Sequence, residues 1–156
     1  MNLRAALAAA IEPLPEPTGG IAVTLSTAGP PPAVALLSTG SVLVSETSIS
    51  VAVVRGSSVV SRLGGTAILL VPYDGGALRA EIGNASARRA GPLDVIEGSI
   101  LDIRPSAELP WSLAMNFAPK DPASAEYYID HWRNVRRWLA DGAHGDGPLP
   151  PLLGPD

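Results

Sequence analysis

Few residues in this chain are equipped for chemistry. There is no cysteine among its 156 residues, and only two histidines, His131 and His144. A disulfide framework, a thiolate metal site and a cysteine nucleophile are therefore excluded. Neither histidine has a carboxylate partner at ligand spacing, so no metal centre is expected. Serine and threonine abound, yet none sits in a Gly-x-Ser-x-Gly elbow or near a histidine, which leaves hydrolase chemistry without support. Glu46, Glu81, Glu97 and Asp102 fall on alternating segments that read as solvent-facing strand positions, and no catalytic residue is assigned.

One segment has better prospects. Gly56-Ser57-Ser58 precedes a short helical stretch, and free N–H groups flanked by hydroxyls can hold a phosphate, with Arg55 and Arg62 adding charge. The plainer role is that the serines cap the helix. Arg88-Arg89 and Arg133, Arg136 and Arg137 could likewise meet a phosphate or a partner, although arginines beside acidic neighbours on a helix usually just face water. His131 reads as an interface or surface residue of the terminal helix, and His144 as part of the tail.

The elements that must position these groups follow from composition and periodicity. Net charge is -4, with 11 basic residues of which ten are arginine, so a broad polyanion-binding surface and a nucleic-acid partner are not expected. Purely apolar runs are too short to span a bilayer. The apolar stretch around Ala5–Ile11 ends at Glu12-Pro13 and reads as a short leading helix, and cytoplasmic residence is expected. Glycine and proline, 16 of each, punctuate the chain. From Pro13 to Val54 the only charges are Glu16 and Glu46, which suits strands in the inner part of a sheet or barrel.

Strands are expected at Ile21–Thr27, Ala33–Ser38, Val42–Val44, Ser48–Val54 and Thr66–Tyr73. Ala33–Ser38, continuously apolar, reads as buried on both faces, and Thr39-Gly40-Ser41 as a turn or bulge. Ser57–Leu63 reads as a two-turn helix capped by serine and stopped by Gly64-Gly65. Asp74-Gly75-Gly76 predicts a hairpin into Leu78–Gly83. Asn84–Pro92 reads as a loop or short helical turn, and Leu93–Arg104 as a long strand with a bulge across Glu97-Gly98. Pro105–Pro110 reads as a connection and Trp111–Phe117 as a further strand. Asp121 and Pro122 should open a terminal helix whose apolar stripe is Tyr128, Trp132, Val135 and Leu139, with Gly142 ending it. Four of the seven aromatic residues fall on that helix, a density typical of packing against the sheet or a second subunit. The expected architecture is α+β: a small antiparallel split β-barrel of six or seven strands with a short inserted helix and a C-terminal helix. Residues 1–142 form one domain, and 143–156 a flexible Pro/Gly-rich tail.

This order of parts resembles the FMN-binding split β-barrel family related to pyridoxamine 5'-phosphate oxidase. The likeness runs from about Ile21 to Arg104. It is carried by Ala33-Val34-Ala35-Leu36-Leu37-Ser38-Thr39-Gly40, by the strand ending Val53-Val54, by Gly56-Ser57-Ser58-Val59-Val60-Ser61-Arg62-Leu63, and by Thr66-Ala67-Ile68-Leu69-Leu70-Val71. The resemblance implies a homodimer with FMN in the groove between subunits. It implies Leu36, Ser38, Thr39, Ser57, Ser58 and Arg62 as cofactor contacts, and an oxidoreductase acting on an unidentified small molecule by the flavin's own hydride chemistry. Where tight FMN binders of that family carry basic residues, this chain has Ala33, Ser38, Ser58 and Val59, and each lost charge-assisted bond is worth about 1.5–3 kcal/mol. The alternative expectation is therefore a cofactor-free dimeric binding or structural module on the same fold. A haem binder is a weaker third reading, because neither histidine falls on a barrel strand.

Overall fold

The computed structural model describes residues 2–16, 19–28, 31–105, 116–117, 121 and 125–144. Helix α1 (Leu3–Ile11) opens on Asn2, whose side chain accepts from the Arg4 and Ala5 N–H groups, and it buries Ala6, Leu7 and Ile11. Strands β1 (Gly20–Thr27) and β2 (Val34–Ser38) follow, then a 3-10 turn (Thr39–Ser41), β3 (Val42–Val44) and β4 (Ser48–Val54). A single helical turn, α2 (Ser58–Ser61), leads into β5 (Thr66–Tyr73), β6 (Gly76–Ala90) and β7 (Leu93–Pro105). The two-residue β8 (Asn116–Phe117) pairs with the start of β1, and α3 (Ala125–Ala140) completes the described chain.

The strands form one antiparallel sheet in the order β2-β1-β5-β6-β7-β4-β3. Its two edge strands are joined by the three-residue turn at Thr39–Ser41. Ser38 and Val42 can be at most about 15 Å apart. A flat sheet of seven strands would separate its edges by about 29 Å. The sheet therefore curls into a half-barrel, and the expected α+β split barrel is what the chain forms. Ile49, Val51 and Val53 alternate into its interior, where they meet Val23, Leu25 and Leu69.

A second, smaller core lies outside the curl. Val135, Trp138 and Leu139 of α3 pack on Ala52, Leu93 and Val95. This arrangement, rather than a residue inserted in β7 at Glu97-Gly98, sets the apolar phase of that strand. The apolar phase of β7 changes because Leu93 and Val95 face α3 while Ile96 faces the barrel, so the strand is buried on both sides there. One irregularity does fall at Gly98, where a bulge is expected, but its extra residue is on β6, and another lies further along β7. An extra residue of β7 sits between the pairs Glu81↔Asp102 and Ile82↔Ile100, and an extra residue of β6 lies between Gly83↔Ser99 and Ser86↔Glu97. Asn84, at φ 49, takes up the second in the left-handed conformation that asparagine tolerates.

Other expectations are revised in the same physical terms. Asn84–Pro92 is mostly strand: β6 runs on to Ala90, and its polar face carries Arg88 to the end of α3. Strand β2 is an edge, not doubly buried, and its Val34 and Leu36 are 61% and 68% exposed. The inserted helix has one turn rather than two. The hairpin is as expected, a two-residue loop with Asp74 at φ 48 and Gly75 at φ 76, the mirror-image turn that matches strand twist. Gly142, at φ 87, ends α3. Most of the expected Trp111–Phe117 strand, residues 106–110 of the connection, Pro122 and the tail from 145 lie outside the described residues.

Two arginines tie helix C-termini to the sheet. Arg88 donates to the carbonyls of Gly142 and Ala143 at the end of α3, and to Glu97. Arg136 is half-buried and donates to Ile11 and Glu12 at the end of α1 and to Thr39 in the corner turn, each at 2.6 Å. A guanidinium suits both jobs, being a fixed fork of donors that also complements the helix dipole. The solvated role expected for Arg136 is thus corrected. Replacing Arg136 by Met strands three carbonyl groups and should cost roughly 2–4 kcal/mol. Replacing Arg133, whose ion pair with Asp130 is exposed, should cost less than about 0.5 kcal/mol. Urea unfolding of the two variants checks both figures.

Candidate functional site

The cleft of the half-barrel follows from strand lengths. Strand β3 covers β4 only from Ile49 to Val51, so the Ala52–Val54 stretch extends past its partner. Strand β2 pairs with β1 on one side, and its other side faces that uncovered stretch of β4. A cavity of about 170 Å³ lies here. Its walls include Leu36 and Ser38 from β2, Val53 and Val54 from β4, and His131 and Trp132 from α3. Residues far apart in sequence, on the two strands that the resemblance singled out, therefore meet at one place.

Helix α3 roofs the cavity because its apolar stripe spans two surfaces. Val135 and Leu139 sit on the outer core, while Trp132 lies against the corner, where a Cβ on Gly40 would come within 2.4 Å of the Trp132 Cβ. His131 falls between these contacts, four residues before Val135 and seven before Trp138, and is only 3% exposed. The surface position expected for it is corrected. Its Nδ1 has no hydrogen-bond partner among the described residues, and burial pushes its pKa below the usual histidine value. His144, by contrast, is exposed.

The six expected cofactor contacts fall into two groups. Leu36 and Ser38 line the cavity, but the Ser38 hydroxyl accepts from the Gly40 N–H, capping the corner turn. Thr39 is fully buried, and its hydroxyl donates to the Pro13 carbonyl at 2.6 Å. Ser57, Ser58 and Arg62 belong to the α2 region instead. There Ser57 sits at the N-cap position without forming a side-chain cap bond, which corrects the capping expected of it.

Three of the donors suited to a phosphate are engaged elsewhere. The Gly56 N–H points to the carboxylate of Asp94 at 3.3 Å, Arg62 donates to the Pro31 carbonyl at 3.2 Å, and Arg55 donates to the Gly91 carbonyl. Asp94, itself buried, puts a negative charge beside the spot where a phosphate would need positive ones.

No protein-family model and no curated protein matches this chain. No group of three potential metal ligands occurs among the described residues, and none of the described helices is long and apolar enough to cross a membrane.

Periodicity did carry a signal for His131. The spacing His131, Val135, Trp138 is as regular as the stripe read from the aromatic residues, and it marks the face that proves buried. What it lacked was any hint that a cavity lies beneath.

The buried imidazole predicts a pH dependence of stability. Burial disfavours the imidazolium, so on acidification the unfolded chain takes up this proton before the folded one does. The contribution is fully present above the unfolded value near 6.5. It is lost as pH falls through that value towards the lower folded one. Between about pH 7 and about pH 5 the protein should lose more stability than its His131→Phe variant. Parallel urea unfolding curves with identical pH profiles would remove this account.

Proposed function

We propose that the chain is a dimeric small-molecule-binding module on a split-barrel scaffold, working without a bound redox cofactor. The observation that carries this reading is the apolar mouth of the cleft. Leu36 on one wall and Val54 on the other are 68% and 57% exposed, and Val34 extends the strip along β2. Large apolar side chains ranged along an unpaired strand edge are costly to leave in water, and a second copy meeting at this edge would cover them. Size points the same way. At about 170 Å³ the cavity is smaller than the roughly 300–1,000 Å³ of ordinary ligand pockets, so one protomer supplies only part of a larger site. The family resemblance implies a dimer with its groove in the same region.

A second reading, an FMN-dependent oxidoreductase, is favoured by one observation: Leu36 and Ser38 on β2 and Val53 and Val54 on β4 share one cavity. The engagement of Gly56, Arg55 and Arg62 weighs against it.

Sedimentation and spectroscopy separate the readings. The proposal expects a dimer, dissociated by Leu36→Glu with little change in the melting temperature of the protomer. It also expects a colourless protein whose melting temperature does not rise with excess FMN. A monomeric wild type would overturn the dimer. A yellow protein that releases FMN on denaturation would establish the second reading instead.

A further inference from the structure

His131 is badly placed for a group that titrates near neutral pH. It is one of the residues around the cavity between β2, β4 and α3, it is 3% exposed, and its Nδ1 has no hydrogen-bond partner among the described residues. Apart from Ser38 and Ser41, the described walls from β2, the corner, β4, β7 and α3 are apolar, and none of them presents an acid or a further base. The charged residues adjoining those walls in sequence are held elsewhere. Arg55 donates to the Gly91 carbonyl, Asp94 accepts from the Gly56 N–H, Arg136 donates to the carbonyls of Ile11, Glu12 and Thr39, and Asp130 pairs with Arg133. The phenols Tyr127 and Tyr128 lie one turn earlier on α3. An imidazolium at this place has no counter-charge and depends on water. Leu36 and Val54, which line the same cavity, are 68% and 57% exposed, so its mouth is the side that meets solvent.

We propose that the contact between two copies closes this cavity over His131, so that protonation of His131 and pairing of the copies exclude one another and the dimer comes apart on acidification. This rests on the dimer reading above and adds its regulation. A second copy covering Leu36 and Val54 removes the water at the mouth, and with it the solvation that an imidazolium needs. The linkage runs both ways: association favours the neutral ring, and protonation favours the monomer. The sign follows from burial. In the single chain burial already holds the ring below the usual histidine value, and closing the mouth lowers it further. Affinity is therefore full above the monomer value and is lost as pH falls through it towards the lower dimer value. The carboxylates act in the opposite sense. The chain carries a net charge of -4 at pH 7, so protonating its acids reduces the repulsion between two copies and favours pairing. A dimer that weakens on acidification thus reports the histidine.

Sedimentation of the full chain between about pH 8 and about pH 5 is the test. Each copy takes up one proton on release, so the dissociation constant should be level at the alkaline end and rise below about pH 6.5, by as much as about a hundredfold per pH unit. His131→Phe should pair with a constant that no longer rises. His144→Gln, which alters the only other histidine, should behave as the wild type. Should His131→Phe fail to fold, dilution calorimetry of the wild type in two buffers of different ionisation enthalpy still decides. Dissociation should take up protons at about pH 5.5 and none at about pH 8. A constant that stays level or falls on acidification, a rise that survives in His131→Phe, or dilution without proton uptake overturns the inference. The two proposals fail differently: a dimer indifferent to pH sinks this one alone, whereas a wild type already monomeric at about pH 8 sinks the dimer and its regulation together.

Discussion

Everything in this molecule is arranged around a short connection between the two ends of one sheet. Three residues at Thr39–Ser41 hold together strands that the hydrogen-bonding order places at opposite edges. The curl is therefore fixed by chain connectivity, and the other elements act on the corner it creates. Helix α1 ends beside it, α3 crosses it at Gly40, and Arg136 bonds to both the turn and the end of α1. A single half-buried guanidinium thus fixes the relative positions of three segments separated by as many as 125 residues in sequence.

The cleft is the complement of that corner. Where β2 and β3 are tied, the sheet closes up, and beyond the end of β3 nothing pairs with Ala52–Val54 on that side among the described residues. Helix α3 covers the opening without filling it, because Trp132 seats on the corner and Val135 on the outer core, leaving His131 between them. The sheet thus meets solvent with apolar side chains at the very edge where its backbone hydrogen bonds stop. An ordinary surface edge strand, by contrast, tends to be short, charged or covered.

Much of the architecture was legible because it is local. The Asp74-Gly75 turn, the alternation in β1, β4 and β5, and the aromatic stripe of α3 are each written within a few residues. What was not legible depends on neighbours distant in sequence. An apolar run such as Val34–Ser38 looks the same whether it lies inside a sheet or at its edge, and only the strand order decides. The Ser-Arg-rich second half of β6 resembles a loop because its polar face meets α3 through Arg88, a pairing across more than fifty residues. At the candidate site, Leu36 and Ser38 were placed where the cavity lies. Asp94, which takes the Gly56 N–H, is 38 residues away, so the sequence around Gly56-Ser57-Ser58 gives no sign of it. His131 carried a periodic signal but no sign of what lay beneath it.

The contact at Gly40 also limits how such a protein can diversify. With no side chain there, α3 rests against the corner backbone itself, and the arginine above it fixes the separation. The helix cannot draw nearer, and moving it away breaks the bonds that hold the corner. Cavity shape is left to the interchangeable walls, Leu36, Val53 and Val135, whose volumes can change one methylene at a time while the frame stays put. The shape of the cleft can therefore change by substitution of side chains more readily than by motion of the backbone, which makes it a rigid mould with replaceable linings.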